Sequence, residues 1–278
     1  MTTTLRPTGP IQQGADGAKS RTYDVCDNGR PVGAVEIGTD PGFGSTAGEL
    51  RSLHIEEPRR GRGRGTIAAL AAEEVLRGWG CTRMMVSVPA DAPAGLRLAT
   101  ALGYVERSRN MVKQLPQTPP ELPGDVTARS MTDDEFAHWE RDAINGYAQS
   151  WIDRGVPAEQ AVRKAETSHA QLLPHGLATP GVHLHVLVHE DVVVGHVWVA
   201  RQEMHPGMVV GYVFDVEVRE EFRGRGYGRA LMLQAERIAL EAGEDRLGLH
   251  VFASNTPALR LYESLGYRTT QNSLAKAL

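Results

Sequence analysis

Cysteine is nearly absent from this chain of 278 residues, which has only Cys26 and Cys81. Two cysteines without metal-ligand neighbours build neither a disulfide framework nor a zinc site, so no metal is expected and a reducing cytoplasm is the expected compartment. Lysine is scarce too: Lys19, Lys113, Lys164 and Lys276 are the only ones among 30 cationic residues. That bias belongs to GC-rich coding sequence and carries no functional reading. No run approaches the roughly 18 apolar residues of a membrane helix, and Met1–Ser20 lacks the apolar stretch of a secretory signal. A net charge of −4 supplies no basic field for nucleic acid or anionic lipid, so neither is an expected partner. What is present is globular composition, 41% hydrophobic and 23% charged, which excludes a disordered or fibrous chain.

The length suits two domains. Residues 1–20 are polar with scattered Gly and Pro and read as a disordered tail. The stretch Leu115-Pro-Gln-Thr-Pro-Pro-Glu-Leu-Pro-Gly124 holds four of the 16 prolines. Such a stretch neither continues a helix nor pairs in a sheet, so residues 116–124 are expected to link two domains, 21–115 and 125–278.

The two sides of that linker match. A shift of 163 positions lays Arg60-Gly-Arg-Gly-x-Gly65 on Arg223-Gly-Arg-Gly-x-Gly228 and Leu102-Gly-Tyr104 on Leu265-Gly-Tyr267. It also lays Lys113 and Leu115 on Lys276 and Leu278, and from Arg60 to Leu115 20 of 56 aligned positions are identical. One ungapped register through two Gly-rich turns is an internal duplication, and a unit of this size means tandem domains.

In the second copy, Thr132-Asp-Asp-Glu135 has capping-box spacing, with Met131 and Phe136 placed as a hydrophobic staple. A helix is expected to about Ser150, stopped by Gly155-Val-Pro157, and a second helix to Leu173. Strands follow at Val182–His189, Val192–Arg201 and Met208–Val218, each rich in Val and aromatics. The Gly-rich turn opens a helix with Tyr227, Leu231, Ala235, Ile238 and Ala242 on one face. A strand at Arg246–Phe252, a helix at Thr256–Ser264 and a closing strand pair complete an α/β layer around a mixed sheet. The first copy shows Arg21–Asp27 and Pro31–Gly38 flanking Asn28-Gly29, a hairpin signal, then a strand at Glu49–Ile55 and its own turn. It has no room for the two leading helices and is read as truncated.

The turn after the strand Asp215-Val-Glu-Val218 carries chemistry. Glycines leave backbone N–H groups bare, and the helix N-terminus adds about half a positive charge, a socket for a pyrophosphate. No Lys-Ser/Thr follows, so it is not a Walker loop, and its spacing is not that of the dinucleotide-binding fingerprint. A tight connection without a ligand, or a short Arg-Gly RNA-binding tract, are the alternatives.

Arg223-x-x-Gly-x-Gly after a Val-x-Val strand, then Asn255, Leu261-Tyr262-Glu263 and Leu265-Gly266-Tyr267, resembles the GCN5-related N-acetyltransferase (GNAT) superfamily. The likeness covers 125–278 and, weakened, 21–115. It implies two tandem GNAT-like domains of mixed β-sheet flanked by helices, with the catalytic one second. It implies acetyl-CoA as co-substrate, its pyrophosphate on the turn from Arg223, Gly224, Arg225, Gly226, Tyr227 and Gly228 to Arg229. The backbone of Val216, Glu217 and Val218 is implied to pair with the pantetheine arm, with Asn255 contacting it.

Acyl transfer from a thioester to an amine needs a base for the amine, N–H donors for the oxyanion and an acid for the thiolate. Tyr262 stands where the superfamily often keeps a tyrosine near the coenzyme sulfur, and is the expected acid. The ribosomal-protein alanine N-acetyltransferases keep a Glu base twelve residues before that tyrosine, a slot held here by His250. Asp215 and Glu217 are rival bases. The acceptor is expected between the leading helices and the strand pair near His183, His185 and Trp198, with Trp139, Tyr147 and Trp151 as aromatic walls.

At the same offset the first copy has Ala99 for Tyr262, Ala92 for Asn255, Ser87 for His250, and Ser52 and His54 for Asp215 and Glu217. It is therefore expected to be a degenerate half that packs on the second, as a monomeric pseudo-dimer or within a homodimer. The leading expectation is direct transfer of acetyl to a primary amine of a small molecule or peptide in a ternary complex. The tandem layout is also similar to the mycothiol synthases, which implies a cysteinyl pseudodisaccharide as acceptor. A non-catalytic acyl-CoA sensor or scaffold is the third reading, and the presence of both Tyr262 and Asn255 argues against it.

Overall fold

The computed structural model describes residues 2–41, 44, 46–153, 156–205 and 207–278. The chain forms two units, Met1–Ser108 with Gln271–Leu278, and Arg109–Thr270.

The first unit begins with β1 (Thr3–Pro7), β2 (Gln12–Gln13), β3 (Lys19–Asp27) and β4 (Arg30–Thr39). Asn28 and Gly29 both take positive φ between β3 and β4, the tight hairpin expected of that dipeptide. β5 (Ala47–Ile55), α1 (Arg64–Gly78), β6 (Arg83–Pro89), α2 (Pro93–Ala101) and β7 (Val105–Gln114) follow. Pairing is antiparallel from β1 to β3, β4 and β5, then parallel from β5 to β6. Tyr23, Val25, Val35, Ile37, Leu76 and Met84 form the buried centre of this unit.

The first twenty residues are a correction to the expected disordered tail. β1 pairs along β3 from Thr3↔Asp27 to Pro7↔Tyr23, and Leu5 packs against the core. An edge strand's free backbone groups satisfy a polar partner with a single apolar contact, so low hydrophobicity did not prevent order here. The described residues between β1 and β3 form no helix.

The second unit holds β8 (Val126–Ser130), α3 (Asp133–Ile152), α4 (Ala158–Leu172), β9 (Val182–His189), β10 (Val192–His205) and β11 (Met208–Val218). Then come α5 (Tyr227–Glu241), β12 (Arg246–Phe252), α6 (Thr256–Ser264) and β13 (Arg268–Ala277). Thr132 and Glu135 form the capping box of α3: the Thr132 hydroxyl accepts from the Glu135 N–H, and the carboxylate accepts from the Thr132 N–H. Pro157 caps α4; the expected stop at Gly155 lies outside the described residues. β8 to β11 pair antiparallel in sequence and β11 pairs parallel with β12. On α5, Leu231, Ala235, Ile238 and Ala239 are buried; Leu231 and Ile238 each contribute about 1.5–3 kcal/mol of burial.

The second copy closes on one strand, not the expected pair. Its last eight residues belong to the first unit, where Gln271–Ala277 of β13 pair antiparallel with Arg83–Pro89 of β6. Reciprocally, the end of β7 from Arg109 lies in the second unit beside β12, with the Leu115 N–H donating to the Asp245 carbonyl. Each unit is completed by the closing strand of the other copy, so neither unit coincides with a continuous half of the sequence. The expected linker is not a loose tether either. Leu115 and Leu122 pack into the second unit's core. No helix among the described residues is long and apolar enough to cross a membrane.

Candidate active site

β11 pairs with β12 only through Gly211↔Leu247, Tyr212↔Gly248 and Val213↔Leu249. Beyond Val213 the two strands part. Opposite this point β10 pairs Trp198 with Asp215 and Val199 with Val213, so Phe214 is an extra, bulged residue. A bulge bends its strand and strengthens local twist, and here it turns β11 away from β12. The wedge so opened is a small cavity of about 150 Å³, lined by Val213–Val216, Leu249–Phe252, Asn255 and Tyr262. In the first unit Arg51, 163 residues before Phe214, is the bulged residue between Leu50 and Ser52.

Along Val216–Val218 the inner edge of β11 is paired with β10, while the edge toward the wedge has no partner strand among the described residues. Its backbone groups are free to receive an extended ligand. After β11, Gly224 and Gly226 adopt φ of +79° and +89°, a conformation that L side chains resist. Gly226 is the N-cap of α5. Among the described residues no backbone carbonyl takes the N–H of any residue from Gly224 to Gly228, as at any helix start. These donors fit a diphosphate. Arg223 folds back to donate to the Val218 carbonyl at 3.1 Å and to Glu217 at 3.3 Å, and Arg229 donates to the Ser264 hydroxyl at 2.6 Å. Both brace the turn. The Tyr227 side chain is buried in the core, so only its N–H faces the socket.

Asn255 is the N-cap of α6: its Oδ1 accepts from the Ala258 N–H at 3.2 Å. That leaves its amide NH₂ for a ligand in the wedge. Tyr262 is buried, and burial, with the nearby charge of Asp215, pushes its phenol up to about 12.

A larger cleft of about 1390 Å³ lies on the same side of the sheet, walled by α3, α4 and the ends of β10, β11 and β12. Phe214, Asp215, His250 and Phe252 line both cavities. The aromatic walls are Trp139, Tyr147, Trp198, Tyr212, Phe214 and Phe252. Trp139 meets Trp198 edge-on at 5.4 Å, and Trp198 stacks on Phe214 at 4.8 Å.

Asp215 sits at the junction. Its Oδ2 accepts the Trp139 indole N–H at 3.1 Å and lies 2.8 Å from His196 Nε2. Burial pushes the carboxyl up, but the His196 bond and charge, the indole donor and the Val216 N–H together hold it below the usual carboxylate range. Glu217 and His250 are exposed, and the His250 ring meets Phe252 edge-on at 5.1 Å.

The structure thus brings Asp215, His250, Asn255 and Tyr262 to one wedge, with Val216–Val218 and the Gly-rich turn running from it. It does not bring His183 or His185, which are absent from the cleft lining. The strand period of two turns them to the other face, where the His185 Nδ1 lies 3.2 Å from Gln234 of α5. Trp151 also misses the cleft, buried between α3 and α4 under the Lys164 ammonium at 3.6 Å. Sequence reasoning missed His196. The signal available was its place in the hairpin partner of β11, but the register needs the bulge at Phe214, which no residue type announces. In the first unit, Ala99 is buried at the Tyr262 position and offers no proton.

Residues 5–104 and 134–267 both match the family described as Acetyltransferase (GNAT). The chain is 27% identical over 294 aligned residues to the mycothiol acetyltransferase of Saccharomonospora viridis, spanning 98% of this chain and 88% of that one. It is 31% identical over 150 residues to YycN of Bacillus subtilis, named an uncharacterized N-acetyltransferase, spanning 53% of this chain and 96% of the relative. In fold it is similar to a GCN5-related N-acetyltransferase from Sphaerobacter thermophilus, with a TM-score of 0.57 at 21% identity over 92% of this chain and 80% of that one. With residues of both copies matched by the one family model, the chain belongs to the GNAT family of acetyl-CoA-dependent N-acetyltransferases.

Proposed function

We propose that the second unit carries the activity and transfers acetyl directly to a primary amine in a ternary complex. The observation that carries this reading is the meeting of two cavities at Asp215, a small one lined by Val216, Asn255 and Tyr262 and a larger one walled by α3 and α4. The N–H groups of Gly224–Gly228 would hold the diphosphate, the open edge of Val216–Val218 the pantetheine arm, and the Asn255 amide its carbonyl. Acetyl-CoA supplies the activated acyl group as a thioester. Tyr262, protonated throughout the neutral range, gives its proton to the departing sulfur. The acceptor's ammonium must first lose a proton, and the junction wall presents Asp215 and His250, with Glu217 adjoining, for that step directly or through a neighbour.

The acceptor cleft is lined by Asp134, Asp142, Glu203, Asp215 and Glu217 against Arg219, a balance that favours a cationic amine. Two buried, free cysteines fit work in a reducing cytoplasm, and the two exchanged strands fit a monomer made of paired copies. A second reading, favoured by the whole-length likeness to the mycothiol acetyltransferase, has the cysteinyl pseudodisaccharide as acceptor.

The test is thiol release from acetyl-CoA across a panel of polyamines, aminoglycosides, amino acids, peptides and that pseudodisaccharide, with wild type and Gly226→Val. Amine-dependent release that falls at least roughly tenfold in the variant supports the reading. Full activity in Gly226→Val, with loss in Gly63→Val instead, would move the chemistry to the first unit.

A further inference from the structure

The hairpin of β10 and β11 puts an imidazole on the acceptor side of the junction. Gly195 makes this approach possible: a Cβ there would lie 2.4 Å from the Glu217 carbonyl oxygen. The strands close up at Gly195↔Val218, and His196, the next residue, comes within 2.8 Å of Asp215. Its ring lies edge-on to Trp139 at 6.2 Å. Trp139 donates to the same Asp215 oxygen that bonds the imidazole. Indole, carboxylate and imidazole therefore fix one another, each on a different element.

Resting on acetyl transfer in this cleft, we propose that His196 is the general base, with Nε2–H held by Asp215 and Nδ1 receiving the proton of the acceptor ammonium. A carboxylate bond to one ring nitrogen fixes the tautomer and leaves the other as the lone-pair atom. Among the described residues Nδ1 of His196 has no hydrogen-bond partner, and the residue lines the acceptor cleft. Asp215 is the poorer base, because the Trp139 indole, the Val216 N–H and the imidazole all stabilise the carboxylate, and it acts as the positioning residue.

The proton balance closes with one proton released to solvent per turnover. Nδ1 takes one proton from the ammonium and frees the nitrogen lone pair. The C–N bond then forms at the thioester carbonyl as the C–S bond breaks. The sulfur takes the Tyr262 proton, the new amide nitrogen sheds its second proton back to Tyr262, and His196 returns its own to solvent.

Among the described residues the titratable groups that line the cleft with this imidazole are Asp134, Glu135, His138, Asp142 and Tyr147 on α3, His169 on α4, Glu203 on β10, Tyr212, Asp215 and Glu217 on β11 and His250 on β12, with Arg219 as the cation after β11. His196→Gln keeps an N–H for Asp215 and removes the base. It is expected to lower kcat/KM for the amine about 100-fold or more, to abolish the acidic limb of the pH profile, and to leave acetyl-CoA affinity by calorimetry within twofold. His196→Ala is expected to regain rate with added imidazole. Independently of turnover, ¹⁵N NMR of the free protein at alkaline pH is expected to report the Nε2–H tautomer. A retained acidic limb with full rate in His196→Gln, or a proton on Nδ1, overturns the assignment while leaving acetyl transfer intact. No amine-dependent turnover in the wild type overturns both.

Discussion

The Lys276 ammonium lies 2.9 and 2.8 Å from the two carboxylate oxygens of Glu73, a residue that is 1% exposed in the first unit. Lys276 comes from the end of the second copy and Glu73 from α1 of the first. The Tyr104 hydroxyl also donates to Glu73 at 3.1 Å, and the ammonium stands over the Tyr104 ring at 5.6 Å. The second unit repeats the arrangement with the copies reversed: Lys113 lies 2.6 Å from Glu236 and 5.7 Å from the Tyr267 ring centre. The ion pairs lock the strand exchange at both ends.

Lys276→Met therefore strips the nearest cation from a buried carboxylate, leaving it the Tyr104 hydroxyl and the Arg77 guanidinium at 3.9 Å. Loss of one partner of a buried pair costs about 3–5 kcal/mol, and the lower end applies because the Lys276 side chain is 23% exposed. Urea unfolding is expected to register that loss, and the double change Lys276→Met with Glu73→Leu to recover most of it. Equal stability of wild type and the single variant would remove the pair from the fold's support.

A fragment of residues 116–278 lacks both Lys113 and the strand from Arg109 that lies in the second unit. It leaves Glu236 unpaired and an edge of β12 bare. We expect poor solubility and low activity, rescued by co-expression with residues 1–115. A soluble, fully active fragment would show the exchange to be dispensable.

Tyr262→Phe keeps the ring's packing and removes the acid. Its kcat is expected to fall about 100-fold, with acetyl-CoA affinity within twofold. The folded phenol is raised from 10 to about 12, so its proton is present below pH 10 and lost as pH rises through about 12. Its contribution to stability follows the same sign. No alkaline limb from this group is expected below pH 10, and one that vanishes in Tyr262→Phe would contradict the account.

Glu135 is held at about 2, down from 4.5, chiefly by the Arg129 side-chain bond, with burial opposing and the Thr132 backbone N–H assisting. Its contribution is present above pH 4.5 and lost as pH falls through about 2. The group is largely solvent-screened, so Glu135→Gln is expected to cost no more than about 1 kcal/mol at pH 7, and to flatten acid unfolding between pH 4.5 and 2. Unchanged acid unfolding would remove the capping carboxylate from that transition.

Much of this was legible because duplication leaves a register. The offset of 163 joins Gly61 and Gly63 to Gly224 and Gly226, all four at positive φ, and Arg51 to Phe214, the two bulges. Strands such as Val182–His189 and Met208–Val218 followed from composition because β-branched runs pack on a half-buried face. The exchanged strands were not legible, since two similar copies present similar partners and sequence cannot say which copy a strand joins. β1 was hidden by its polarity. His196 was hidden because its meaning lies in a bond across 19 residues to Asp215, whose alignment depends on one bulged residue.

The most direct measurement is a crystal structure with coenzyme A bound. The account predicts the diphosphate on the N–H groups of Gly224–Gly228 and the sulfur in the wedge, within hydrogen-bonding reach of the Tyr262 phenol. Coenzyme A seated only on the first unit's turn at Arg60–Gly65, with the wedge beside Asp215 unfilled, would contradict it.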